Sequence, residues 1–152
     1  LDVAKGPART LKITIHIEGA KETLAAFNRL PKVANAALRE RSWELAQTLA
    51  DQVAVVAYAD SPQSALMAPT VKARKDRLPV IEAGGAKRVG RNKRPAYKIL
   101  FGSEFGSNLP QFRAHLGKGS YWFYSTVYAA QPTIAAAWAR AADDIQRDFM
   151  KG

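Results

Sequence analysis

The sequence predicts an α+β domain: a small, mostly antiparallel sheet packed against one long central helix, a short N-terminal helix and a C-terminal helix. Three observations predict it. Leu11, Ile13, Ile15 and Ile17 alternate with polar residues, the period-two signature of a half-buried strand. An alanine-rich stretch from Lys32 to Ala59, bounded by Pro31 and Pro62, carries apolar residues at helical spacing. Ile134, Trp138, Ala141, Ile145 and Phe149 repeat that spacing near the C-terminus. The chain has 152 residues, and no repeat or linker divides it, so 1–152 is expected to be a single domain.

In chain order, residues 1–10 contain Gly6-Pro7 and are expected to be a flexible arm without the apolar core of a signal peptide. The first strand follows, with His16 on its solvated face, and Gly19 ends it. Ala20 to Leu30 reads as a short helix stopped by Pro31. The long helix carries Leu38, Leu45, Leu49, Val53 and Val56 as its stripe. Trp43 lies about 200° from that stripe and needs a second surface, either a partner subunit or the protein's own sheet. Asp60-Ser61-Pro62 stops the helix, and 61–70 is expected to be a loop. Val71 to Gly85 reads as a strand pair or one bent strand, with Pro79 pointing to a sheet edge. Residues 86–96 are expected to be a mobile basic loop or a hairpin tip. Tyr97 to Phe101 and Ser120 to Val127 read as strands from their aromatic and β-branched content. Gly102 and Gly106 are expected to bracket a turn, and Pro132 to open the last helix.

Charge is the unusual feature of the composition. The net is +10, from 23 basic against 13 acidic residues. Between Lys72 and Lys98 there are ten cations against only Asp76 and Glu82, so this stretch alone is +8. The rest is nearly neutral. Such a concentration has three readings: a solvated loop without a partner, or contact of Lys87, Arg88, Arg91, Lys93 and Arg94 with an acidic protein neighbour or with nucleic-acid phosphate.

The chemistry of catalysis is sparse. With no cysteine, thiolate metal sites, cysteine nucleophiles and disulfides are excluded. Two histidines, His16 and His115, far apart in sequence, make a metal site unexpected. Gly102-Ser103-Glu104-Phe105-Gly106 misses the nucleophile-elbow pattern, because Glu104 holds the central position. Asp143 and Asp144 diverge by about 100° on a helix and cannot chelate together. No phosphate-binding loop or nucleic-acid-reading motif is present. No enzyme, cofactor or metal is therefore expected, and no apolar run is long enough for a membrane span.

Taken in order, several segments resemble the tail-completion or neck proteins of long-tailed bacteriophages, a minor tail component family. These are Ile13-Thr14-Ile15-His16-Ile17-Glu18-Gly19 before a helix with Phe27 and Leu30; the alanine-rich helix to Tyr58; and Leu78-Pro79-Val80-Ile81 before Gly84-Gly85. Then come Leu100-Phe101-Gly102-Ser103-Glu104-Phe105-Gly106; Gln111-Phe112-Arg113-Ala114-His115; Gly119-Ser120-Tyr121-Trp122-Phe123; and a last helix around Trp138. The resemblance implies a structural virion protein at the head–tail junction, assembled in the host cytoplasm. It implies a homo-oligomeric ring, hexameric by preference, around the DNA channel, touching neighbouring connector and tail proteins. A tail terminator or head–tail stopper subunit is the near alternative, and a free basic nucleic-acid-binding module the more distant one. Under this resemblance Phe101, Phe105, Phe112 and Trp122 are packing or subunit-contact residues, Trp43 and His115 are further candidates for the subunit interface, with His115 read first as a satisfied structural histidine, and the basic residues meet DNA or an acidic neighbour.

Overall fold

The computed structural model describes residues 9–150, so most of the expected arm lies outside the described residues. Strand β1 (Thr10–Thr14) leads into helix α1 (Ala20–Phe27) and the long helix α2 (Lys32–Asp60). A short helix α3 (Pro62–Met67) and one 3₁₀ turn (Ala68–Thr70) follow. Strands β2 (Lys72–Arg74) and β3 (Val80–Gly84) precede a small hairpin, β4 (Arg88–Val89) and β5 (Arg94–Pro95). Helices α4 (Tyr97–Phe105) and α5 (Phe123–Met150) complete the chain. The fold is α+β, as the sequence predicts.

The sheet has the order β1-β3-β2 and is antiparallel throughout. Its register places Ile13 opposite Ile81 and Ile81 opposite Ala73, so the apolar residues share the face that meets the helices. Pro79 does not put β3 at an edge. It sits just before the central strand, where its missing N–H ends the ladder without interrupting it, and its carbonyl accepts from Ile15 N at 2.9 Å.

Helix α2 lies against this sheet and against α5. Its buried line is Ala34, Leu38, Ser42, Ala46, Leu49, Ala50, Val53 and Ala57, so small residues supply more of it than the leucine stripe suggests. Val56, expected on the stripe, is 37% exposed. Small side chains let the neighbours approach closely, and Trp138 of α5 uses that space. Its indole N–H donates to Ser42 Oγ at 3.0 Å and to Arg77 O at 2.8 Å.

The first strand ends at Thr14 rather than at Gly19, so His16 lies beyond it, because Pro79 opposite Ile15 has no N–H to continue the ladder. Three further expectations fail for identifiable reasons. Residues 61–70 are helical rather than a loop: Ser61 Oγ accepts from Ser64 N at 3.1 Å, and Pro62 occupies the first turn. The stop signal for α2 is also the start signal for α3. Tyr97 to Phe101 opens a helix, and Gly102 lies inside it rather than flanking a turn. The buried positions Ile99, Leu100, Ser103 and Glu104 recur at helical spacing, but two of them are polar and hide the period. Ser120 to Val127 is not a strand, because α5 begins at Phe123 and Pro132 lies well inside it. Here tertiary packing overrides β-propensity. Trp122, Phe123 and Tyr124 are buried, and their N–H groups find a carboxylate from another helix.

That carboxylate belongs to Glu104, which is fully buried on α4. Its Oε1 accepts from Trp122 N at 3.0 Å and Phe123 N at 2.8 Å. Its Oε2 accepts from Tyr124 N and Ser120 Oγ, at 2.8 and 2.7 Å. Negative charge at a helix N-terminus is favoured by the unpaired N–H groups and the helix dipole. Gly106 closes α4 at φ +86°, and a Cβ there would fall 2.1 Å from Ala114 O, so only glycine fits beneath the following loop.

Candidate functional site

The ten cations between Lys72 and Lys98 do not form one module. Four serve the scaffold. Lys72 Nζ and Arg74 Nη1 pair with Glu82 Oε1 at 3.4 and 3.2 Å, neutralising a carboxylate buried on the central strand. Lys75 pairs with Glu40 at 3.4 Å and lies 5.8 Å above the Trp43 ring. Arg77 bridges Asn28 Oδ1 and Asn35 Oδ1, at 2.7 and 3.0 Å, while its carbonyl takes the Trp138 and Ser42 bonds. All four tie elements together, three through carboxylates and Arg77 through neutral amide oxygens.

The other six, Lys87, Arg88, Arg91, Lys93, Arg94 and Lys98, are exposed, and none is within ion-pair distance of an acid among the described residues. No acid interrupts residues 87–98. The β4–β5 hairpin presents five of them. Its register pairs Arg88 with Pro95 and Val89 with Arg94. The turn closes from Lys93 N to Gly90 O at 3.2 Å, with Gly90 at φ +75° and Lys93 at φ +49°. Arg88 Nη1 donates to Lys93 O at 2.9 Å and braces the turn. Val89 is buried, and Ala96 N donates to Lys87 O at 2.7 Å, so the hairpin is pinned at its base.

A groove of about 280 Å³ runs between the hairpin, α3 and α4. Leu66, Val89, Ile99 and Phe112 supply its apolar lining. Arg91, Arg94 and Lys98 bring the cations, and Gln63, Asn92 and Gln111 bring neutral polar groups. No acid lines it. Three like charges around one concavity repel one another.

The aromatic candidates separate. Trp122 is fully buried and donates from Nε1 to Ser103 Oγ at 3.1 Å, so of its two expected roles it takes core packing and not subunit contact. Phe112 is half-buried, with its ring against Gly102. Trp43 is half-buried under Lys75 of its own chain. His115 is exposed in the loop after α4, not a satisfied interior histidine. Phe101 and Phe105 stack at 6.4 Å between centroids, and the stack continues through Tyr124 at 6.0 Å to Tyr128 at 6.0 Å. Tyr128 is 62% exposed, so this ladder reaches from the core to solvent.

Comparison of the chain with models of known protein families, with curated proteins and with solved structures gave no significant match. Among the described residues no helix is long and apolar enough to cross a membrane, and no group of three or more His, Asp or Glu is placed to hold a metal ion.

Sequence reasoning found five of the six free cations but missed Lys98, which projects from α4 and joins Arg91 and Arg94 only in the folded chain. It also missed the role of Glu104, which it met as a residue spoiling a catalytic motif and as part of the segment Leu100 to Gly106. The fold joins Ser103-Glu104 to Ser120-Tyr121-Trp122, a contact that no local pattern in either segment announces.

Proposed function

We propose that this chain is a structural subunit of a bacteriophage virion at the head–tail junction, a tail-completion or neck protein that joins or finishes the tail around the DNA channel. The observation that carries the proposal is the pinned hairpin, whose cations have no acidic partner within the described chain. Repeated around a ring, such hairpins would sum to a strong positive field suited to an acidic neighbouring protein or to channel DNA. The ordered sequence resemblance supplies the biological setting. Terminator and stopper subunits share that setting.

The test is replacement of Arg88, Arg91, Lys93 and Arg94 by Ser in the parent phage. Unjoined heads and tails, or particles that leak DNA, are the expected outcome. Fully infectious particles would sink the proposal.

The same unpaired cations favour a second reading, a free nucleic-acid-binding module. That reading requires the isolated monomer to bind DNA, with log affinity falling linearly in log salt. The virion reading requires a ring, or a monomer that assembles on a partner surface. Size-exclusion mass with and without DNA at two salt concentrations separates them.

A further inference from the structure

The groove beside the hairpin has two chemistries in one concavity, and they restrict its occupant. The cationic rim calls for an anion. The lining by Leu66, Val89, Ile99 and Phe112 calls for an apolar group that loses water there. A duplex meets proteins through phosphates on a stiff rod, which satisfies the rim and leaves the apolar lining wet. The volume of about 280 Å³ lies at or below the range of roughly 300–1,000 Å³ usual for small-molecule pockets, and it suits one large side chain.

The groove is also a fixed shape. Gly90 brings the hairpin turn against α3, where a Cβ would lie 3.3 Å from Leu66 Cδ1. Phe112 is held against Gly102, and Val89 and Ile99 are buried. A preformed pocket costs little ordering on binding. Its rim residues are held by short backbone elements, the hairpin for Arg91 and Arg94 and α4 for Lys98.

We infer that this groove binds an acidic peptide segment of a partner protein, seating one bulky apolar side chain on the lining and flanking carboxylates on Arg91, Arg94 and Lys98. The inference deepens the proposed function by naming the chemistry of the partner. It is read on the isolated full chain, so its failure is distinct from failure of head–tail joining.

Fluorescence anisotropy tests it with three labelled probes: a short Asp/Glu peptide with one central Phe, the same peptide with Ala in place of Phe, and a single-stranded DNA of matching charge. The Phe peptide should bind about tenfold more tightly than the Ala peptide, the factor expected for about one buried aromatic contact. Arg91→Ala with Arg94→Ala should weaken both peptides. Gln111→Trp, at an exposed rim position, should fill the groove and remove the Phe advantage alone. The comparison between peptides needs no altered protein, so a misfolded variant cannot obscure it. Equal binding of the two peptides, or no binding of either, overturns the inference. So does DNA that binds more tightly than the Phe peptide and displaces it, which would make the groove a phosphate site.

Discussion

Tyr124 concentrates the tension between packing and polarity at a single side chain. It is only 7% exposed, and its hydroxyl has no hydrogen-bond partner among the described residues. Its ring is nonetheless well used, with Phe105 and Tyr128 stacked on it and Phe123 edge-on at 5.3 Å. Burial, then the charge of Glu104, then Tyr128 push its pKa up to about 12 from an ordinary 10.0. The sign of the pH effect follows. Below pH 10 the phenol is protonated in folded and unfolded chains alike, and this group gives stability no pH dependence. Above it the unfolded chain releases the proton while the folded chain holds it, so stability falls by up to about 1.4 kcal/mol per pH unit until the folded pKa is passed. Tyr124→Phe removes both an unpaired hydroxyl and this titration. Its stability at pH 8 should equal or exceed that of the native chain by up to about 1 kcal/mol. Urea unfolding at pH 8 and pH 11 checks it: the variant should lose less stability between the two. Equal losses would show that the Tyr124 phenol is not held in its protonated form by the fold.

Helix α5 starts where it does because another helix supplies its cap. Glu104 offers two oxygens to three backbone N–H groups and one hydroxyl, and a neutral amide cannot do the same. Glu104→Gln keeps one acceptor and turns an NH₂ donor toward donors already there. Stability should fall by about 3–6 kcal/mol, the sum of two charge-assisted bonds lost in a buried site, read as a lower urea midpoint. A change within experimental error would mean that packing alone defines the start of α5. This dependence also explains which elements were legible in the sequence. Helices α1 and α2 are set by local pattern and by Gly19 and Pro31, so their periodicities can be read directly, whereas the alternation through Ile17 overstates strand β1, which ends at Thr14. Helix α4 and the first turns of α5 are each completed by the other. Tyr121, Trp122 and Phe123 carry strand propensity locally, and their helical or capping geometry exists only once Glu104 is beneath them. Lys98 was hidden likewise, since placing residues 97–101 on a strand removes it from the groove. The hairpin at 86–96 was legible from its charge and punctuation, whereas the partition of the cations required knowing that Glu82 and Glu40 face Lys72, Arg74 and Lys75.

At the scale of the whole molecule, the +8 carried by residues 72–98 divides into populations with opposite consequences. Lys72 and Arg74 compensate Glu82, which is 6% exposed on the central strand. Removing both leaves a buried carboxylate without its counterions, a change that destabilises even where the intact pair adds little net stability. Arg91, Lys93 and Arg94 compensate nothing within the described chain, and their exposed side chains make no interior packing. Removing them should leave stability within about 0.5 kcal/mol of native while weakening attraction to any polyanion. Two variants expose the division. Lys72→Ser with Arg74→Ser should lower the melting temperature and shift elution from a heparin column only modestly. Arg91→Ser, Lys93→Ser and Arg94→Ser together should melt close to native and elute at clearly lower salt. If both variants lost heparin retention equally with the same melting temperature, the cations would act as one diffuse cloud. If the separation holds, the positive field that faces a partner belongs to the hairpin, and the scaffold beneath can be altered without changing what the hairpin attracts.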